Sequence, residues 1–561
     1  MAAHLEPYKP DDEEKCRYFY GRAGRPRLVA RTSTTSWIKP QHPEGWHNTF
    51  VQTPKRYFPI TEEEIVSKWN KDLSSAIIEV LKGCSWSYFF PIRIGLERIR
   101  GQESTDGQGE DKNPTVLSIA VEEDSLQWEE GITIASACRR VLQRFLIPNV
   151  EVEIREGRFE HHAACEQLES QIDPDRWLDD DTNGRALPLL STSGYPIGYL
   201  DESVGQGTVG LHLRLSQDHS PAAFYGLTCR HVVCKDRPNH DSYKISGDYR
   251  QYHVQGNHTG FDDCLTDLKE YQEKLESFIK PLLDAKTRWE EWYQYDESLK
   301  HKCPTEAQMA GLNRRQNQAA YNETIIRHSE ILRPKEKRKI GHLAYHPSYE
   351  VSSLQPGYLK DWALVELDPT KFLKGPENKV FIGTRDVDFQ TKDENGFLDL
   401  FLGDEEAFAK GVIVGKRGSA TGLTFGRISG IEAVLRTPGL VGKDTSTFEM
   451  LIVPEKGYKK FSERGDSGSP IFDCFGQIIG MLVGSTDFRP EDTWRGVCEP
   501  GSSNSRILKR FPGSNKSPVA DETSKDELAK FTEEMDVTFA APIKWVLEDI
   551  QDFTGLQTRL A

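Results

Sequence analysis

Nowhere does the chain approach the ~18 consecutive apolar residues that a membrane-spanning helix needs. The opening stretch, MAAHLEPYKPDDEEK, is charged and has no apolar core segment, so it does not read as a secretory signal. Both absences predict a cytosolic protein with no membrane partner, in a compartment where thiols stay reduced. The ten cysteines are scattered at 16, 84, 138, 165, 229, 234, 264, 303, 474 and 498. None forms a C-x-x-C, and no paired Cys/His spacing suggests zinc, so neither a metal nor another cofactor is expected. Cys229 and Cys234 bracket a histidine, which leaves a redox clip open beside the plainer reading of two small core residues. Positive charge is also short: 71 Lys and Arg face 87 Asp and Glu, for a formal net charge of −16. That balance argues against nucleic acid as a partner, because phosphate contacts need clustered Lys and Arg. Local basic runs such as RPKEKRK at 333–339 read as solvated helix ends.

What the chain does contain is enough apolar residue for globular cores, 37% hydrophobic and 10% aromatic. Its 561 residues exceed what one core usually organises, so more than one domain is expected. Residues 1–60 show no clear period and read as an irregular arm. An α+β domain is predicted over 61–172. Its first helix, 61–83, has a Thr61/Glu64 capping box, a stripe of Ile65, Trp69, Leu73, Ile77 and Val80, and Gly83 at the left-handed end position. A polar loop (101–114), a strand TVLSIAV, a helical run (132–147) and the alternating strand VEVEI (150–154) follow. Residues 173–194 form an acidic, turn-rich linker. From 195 to 555 the texture becomes short β-type runs punctuated by glycine, which indicates a β-barrel or sandwich. A helix at 544–553 is expected to close the chain.

An insertion at about 262–335 breaks that β pattern. Apolar residues fall at 268, 271, 275, 278, 282, 285, 289 and 292, and a second helical stretch runs from Glu306 to Leu332. Two helices joined by a Pro-containing turn make an antiparallel hairpin, either packed within one molecule or dimerising as a coiled coil. A polar segment, about 486–535, forms a second insertion.

The stretch FSERGDSGSPIFD (461–473) sets a serine between two glycines. Serine is a poor nucleophile until a base takes its proton, and that base needs a partner to orient it. In the G-x-S-x-G elbow the order is Ser, acid, His, yet all 15 histidines precede Ser467. That order is impossible here. The alternative order, His then Asp then Ser, occurs on β-barrels.

In that order the chain resembles the chymotrypsin/trypsin-like serine proteases, through LTCRHVV (227–233), KDWALVELD (360–368) and GDSGSP (465–470). The hairpin GKRGSATGLTFGRISGI (415–431) is also similar to one found in the family. The resemblance covers roughly 195–255, 338–485 and 536–555. It implies a double β-barrel and a serine endopeptidase acting on a protein or peptide substrate. His231 would be the base, Asp361 its orienting acid and Ser467 the nucleophile, with Glu366 and Asp368 as weaker choices for the acid. The backbone N–H groups of Gly465 and Ser467 would form the oxyanion hole. Phe461 would lie at the base of the primary specificity pocket, with Val483, Gly484 and Ser485 as its wall. No acid stands at that base, which implies an apolar or small P1 side chain, or a pocket blocked by Phe461. Secreted members pair the acid before the serine with a new N-terminus; no activation site is evident here, so Asp466 has no partner in the sequence. Two other readings stay open: a catalytically silent scaffold, and an effector protease that cuts only itself or one bound partner. A regulatory partner would dock on the N-terminal domain or the helical hairpin.

Overall fold

The computed structural model describes residues 6–22, 26–38, 55–96, 113–161, 192–199, 206–216, 223–234, 241–245, 252–255, 258–296, 298, 304–352, 357–372, 375–383, 396–403, 411–440, 443–455, 460–486 and 537–561. The linker over 173–191, nearly all of the polar loop 101–114, and the insertion over 487–535 lie outside the described residues. The fold is mostly β, arranged in several sheets. Among the described residues no helix is long and apolar enough to cross a membrane.

The N-terminal strands are β1 (Leu28–Arg31), β2 (Lys55–Phe58), β3 (Trp86–Leu96), β4 (Thr115–Val121), β5 (Glu151–Glu156) and β6 (Phe159–His161). β4 and β5 run parallel. A parallel pair needs a crossover, and the helix Trp128–Arg144 supplies it, burying Ala135, Cys138, Val141 and Leu142 on one face. The helix expected at 61–83 runs as Glu63–Lys68, a π-turn Trp69–Leu73 and Ser74–Val80. Ile65, Trp69, Leu73 and Ile77 are buried as the stripe requires. The capping box is not formed: Glu62 is the N-cap, without a side-chain cap bond, and Thr61 stands one residue too early. Gly83 has φ +87° after the helix, a left-handed conformation that suits glycine.

The next group is β7 (Tyr195–Tyr199), β8 (Gly207–Val209), β9 (Leu211–Ser216), β10 (Ala223–Cys229), β11 (Tyr243–Lys244), β12 (Tyr252–Gln255), β13 (Lys339–His346) and β14 (Trp362–Leu367). A separate pair, β15 (Lys379–Phe381) and β16 (Phe397–Asp399), follows. Then come β17 (Ile413–Gly418), β18 (Gly422–Leu440), β19 (Lys443–Pro454), β20 (Pro470–Asp473), β21 (Ile478–Thr486), β22 (Thr538–Pro542) and β23 (Gln557–Leu560). One sheet has the order β23-β9-β10-β14-β13-β12-β7-β8, with β11 on β13. In β10, Tyr225, Leu227 and Cys229 alternate into its core. In the other sheet β18 pairs both β17 and β19, so β18-β17-β20-β21-β22-β19 closes on itself. Val414, Ile452, Ile471, Ile479, Leu482 and Ala540 fill that ring.

The N-terminal strands extend this second sheet. β3 pairs β18, with Phe89 opposite Val434 and Tyr88 opposite Leu435. Trp69 adds an Nε1–H bond to the Glu432 carbonyl at 2.8 Å.

The helices His258–Tyr295 and Glu306–Leu332 stand between β12 and β13. Phe261 and Leu268 pack on Ile325 and Leu332, and Leu275 and Ile279 on Leu312 and Ala319. The expected stripe is used only in part, since Phe278, Leu282 and Trp292 are exposed. The contact with the partner helix moves to the adjoining positions Ile279 and Leu283, which turns Phe278 and Leu282 outward. At the C-terminus the helix Ile543–Thr554 is followed by β23, which pairs β9. The chain therefore ends on a strand, not on the expected helix; four residues are too few to carry a readable alternation.

Candidate active site

The register of β10 against β14 places the first two site residues. Cys229 lies opposite Trp362, so the residues just after Cys229 and just before Trp362 emerge at the same end of the sheet. After Cys229 the chain makes one helical turn, Arg230–Val233. The Arg230 N–H donates to the Asp361 carbonyl at 3.0 Å, and the His231 N–H donates to Asp361 Oδ1 at 3.0 Å. The other carboxylate oxygen, Oδ2, lies 2.5 Å from His231 Nδ1. A carboxylate accepts, so Nδ1 carries the ring proton and Nε2 presents its lone pair. That lone pair faces Ser467 Oγ at 2.9 Å. All three residues are buried. Glu366 and Asp368 are not brought to this end. Glu366 sits opposite Tyr225, four pairs away, with its carboxylate 3.4 Å from His342. Asp368 instead accepts from the Thr370 N–H.

Ser467 sits in the turn before β20. Its carbonyl accepts from the Thr208 N–H at 2.8 Å, and the Gly468 N–H donates to the Leu482 carbonyl at 2.8 Å. The turn needs glycine on both sides. Gly465 has φ +103° and Gly468 φ +92°. A Cβ at 468 would meet the Thr208 carbonyl oxygen at 2.3 Å and Thr228 Oγ1 at 2.6 Å, so any side chain there is excluded on two grounds. Ser467 Oγ also lies 2.9 Å from the Val483 carbonyl, so its single proton faces two acceptors. Among the described residues, neither the Gly465 nor the Ser467 N–H donates to a protein acceptor.

Asp466, which the sequence left without a partner, is fully buried against Lys416 on β17, at 2.8 Å. Its carboxylate also accepts from Thr421 Oγ1 at 2.7 Å and from the N–H groups of Ala420, at 2.9 Å, and Glu463, at 3.0 Å. Burial alone would raise this carboxyl, but the Lys416 ammonium and these hydrogen bonds outweigh it and hold Asp466 below the ordinary value. The turn between β17 and β18 is thereby tied to the serine loop, and Ser419 Oγ in that turn donates to the Gly465 carbonyl at 2.5 Å. The only sequence signal was a lysine inside the alternating run GVIVGKRG.

Cys229, His231 and Asp361 offer three potential metal-ligand atoms within 4.8 Å of one another. Both His231 nitrogens already face Asp361 and Ser467. The Cys229 thiol points at the Leu482 carbonyl at 3.2 Å, and burial pushes its pKa well up. The cluster suits proton transfer better than a cation. Cys229 and Cys234 are both buried thiols, not joined to each other as a clip. Nearby, burial and the carboxylates of Asp361 and Glu432 push the Glu449 carboxyl well above the usual range. Phe461 is fully buried among Ile428, Ile452, Ile471 and Leu482. Val483, Gly484 and Ser485 lie along β21, where the Val483 carbonyl faces Ser467 Oγ.

No family model and no curated protein matches this chain. Similar solved structures are chymotrypsin-like serine proteases. Thermobifida fusca protease A is 13% identical, with 66% of this chain and 100% of that chain covered and a TM-score of 0.27. The Nocardiopsis protease is 11% identical, covering 66% and 98%, with a TM-score of 0.27. The Cellulomonas bogoriensis chymotrypsin is 16% identical, covering 39% and 76%, with a TM-score of 0.21. Likeness this distant carries no weight for function, which has to rest on the site's own geometry.

Proposed function

We propose that this protein is a serine endopeptidase built on a trypsin-like double β-barrel, hydrolysing peptide bonds through an acyl-enzyme. The observation that supports this reading is the continuous hydrogen-bond line from Asp361 through both nitrogens of His231 to Ser467 Oγ. His231 takes the Ser467 proton as Oγ adds to a carbonyl carbon, and Asp361 stabilises the imidazolium that results. The N–H groups of Gly465 and Ser467 receive the developing oxyanion, each such donor contributing roughly 3–4 kcal/mol. Phe461 leaves no acid beneath the substrate side chain, which favours an apolar or small residue before the cut bond. The working site is cytosolic and the substrate a protein or peptide, without a metal or cofactor.

A fluorophosphonate probe tests the reading. Wild type is expected to be labelled, and Ser467→Ala and His231→Ala are expected to remain unlabelled at unchanged thermal stability. Folded, pure wild type that neither takes the label nor shows any Ser467-dependent cleavage sinks the proposal and leaves a silent scaffold.

A further inference from the structure

β6 has no part in closing the ring of β18-β17-β20-β21-β22-β19, yet it is hydrogen-bonded to that ring next to Ser467. His161 lies opposite Gly484, Glu160 opposite Ser485 and Phe159 opposite Thr486. On its other side the same stretch of β21 is taken by β22, with Phe539 opposite Gly484 and Thr538 opposite Ser485. β6 therefore holds the one edge of residues 484–486 left for an extended peptide, the position in which a peptide binds by adding a strand.

The direction of β6 matters as much as its place. The pairing is antiparallel, so β6 runs from Thr486 toward Gly484, the end of this stretch that adjoins Val483. The Val483 carbonyl is the group that Ser467 Oγ approaches at 2.9 Å. A strand of the opposite sense would carry the chain away from the serine. The upstream end is anchored: β6 follows β5 directly, the Gly157 N–H donates to the Val121 carbonyl at 2.8 Å, and the Phe159 ring stands edge-on to Phe539 at 5.6 Å. Ser467 itself has no exposed surface, as a site already covered by an internal peptide requires.

From this we infer that β6 is this chain's own peptide seated as substrate, and that the site cuts its own chain shortly after His161, in cis. The inference rests on the proposed endopeptidase reading and names that site's substrate: the segment that the N-terminal sheet presents to it. Ser467 Oγ bonds to the carbonyl carbon while its proton passes to His231 Nε2. The C–N bond then breaks as that proton moves to the departing amine, which becomes a new N-terminus. Water adds to the acyl-serine, giving a proton to His231; return of that proton to Ser467 Oγ releases the new carboxyl terminus.

The test is intact-mass and N-terminal analysis of the full chain. Wild type is expected to yield a fragment whose N-terminus falls within the few residues after His161, at a rate unchanged by dilution. Ser467→Ala is expected to lose that fragment completely, and a tagged Ser467→Ala chain mixed with wild type is expected to stay whole. If the probe labels Ser467 but the chain stays intact, the inference fails while the endopeptidase reading stands. A cut that maps elsewhere, or wild type cutting the tagged Ser467→Ala chain as fast as itself, also overturns it. Wild type that neither labels nor cuts overturns both.

Discussion

Asp361 and Asp466 are both buried aspartates within the same site, and their partners give them opposite jobs. Asp361 faces a histidine and sets its tautomer; Asp466 faces a lysine and holds a loop. Asp361→Asn keeps the shape but no longer fixes the proton on Nδ1, so the rate of Ser467 acylation should fall by roughly 10⁴-fold with folding intact. Single-turnover kinetics beside circular dichroism checks this. Lys416→Met strands a buried carboxylate and should cost about 3–5 kcal/mol, read as a drop in Tm at neutral pH. The pH dependence follows from the lowered Asp466 pKa. Its stabilisation is full above the ordinary carboxylate range, where the unfolded side chain is also ionised. It is lost as pH falls through the lowered folded value, because only the unfolded chain gains a proton readily. Asp466→Asn combined with Lys416→Met should remove that part of the acid-induced loss in Tm, and an unchanged acid limb would contradict it. The aspartate before the serine was plain in the motif. Its partner was not, because a lysine within a strand looks like any solvated lysine until the fold buries it.

The elements differ in how far they could be read. β10 and β14 were visible as alternating runs ending in a histidine and starting after an aspartate, and their register turns that into a 2.5 Å contact. The helical hairpin was visible from its 3–4 spacing, but only half of its stripe is covered. Which face of an apolar stripe is buried depends on how the facing helix is set against it, here on Leu275, Ile279 and Leu283, and the stripe itself does not encode that. Leu268, fully buried in the covered half, also lends its carbonyl to Asn322 Nδ2 at 3.1 Å. Leu268→Ala should cost about 2–5 kcal/mol locally. Hydrogen exchange should then quicken in both helices and leave β17 to β22 unchanged; loss of protection throughout would show that the hairpin is integral to the barrel.

For the molecule as a whole, the sheet is continuous from β1 through β3 and β18 to β19, so the N-terminal strands share a core with the closed ring. Phe89 stands at that junction, fully buried and edge-on to Trp69 at 5.8 Å and Trp86 at 5.1 Å. Phe89→Ala should cost about 3–5 kcal/mol. It should lower the Tm of one cooperative transition, followed by calorimetry. Two separated transitions, of which one alone moves, would mean that the two parts unfold independently.

By itself the sequence determined the type and order of the reactive groups: histidine at one strand's end, aspartate at another's start, serine in a glycine turn, and no histidine beyond it to allow a different order. These are local properties, set by residue type and by the two-residue period of a strand. The tertiary structure alone decided that Lys416 balances Asp466 and that β6 lies along β21 beside Ser467. Both are pairings between distant parts of the chain. A buried charge takes whichever opposite charge the packing brings to it, and a strand edge takes whichever strand reaches it; neither choice leaves a mark in the residues on one side alone.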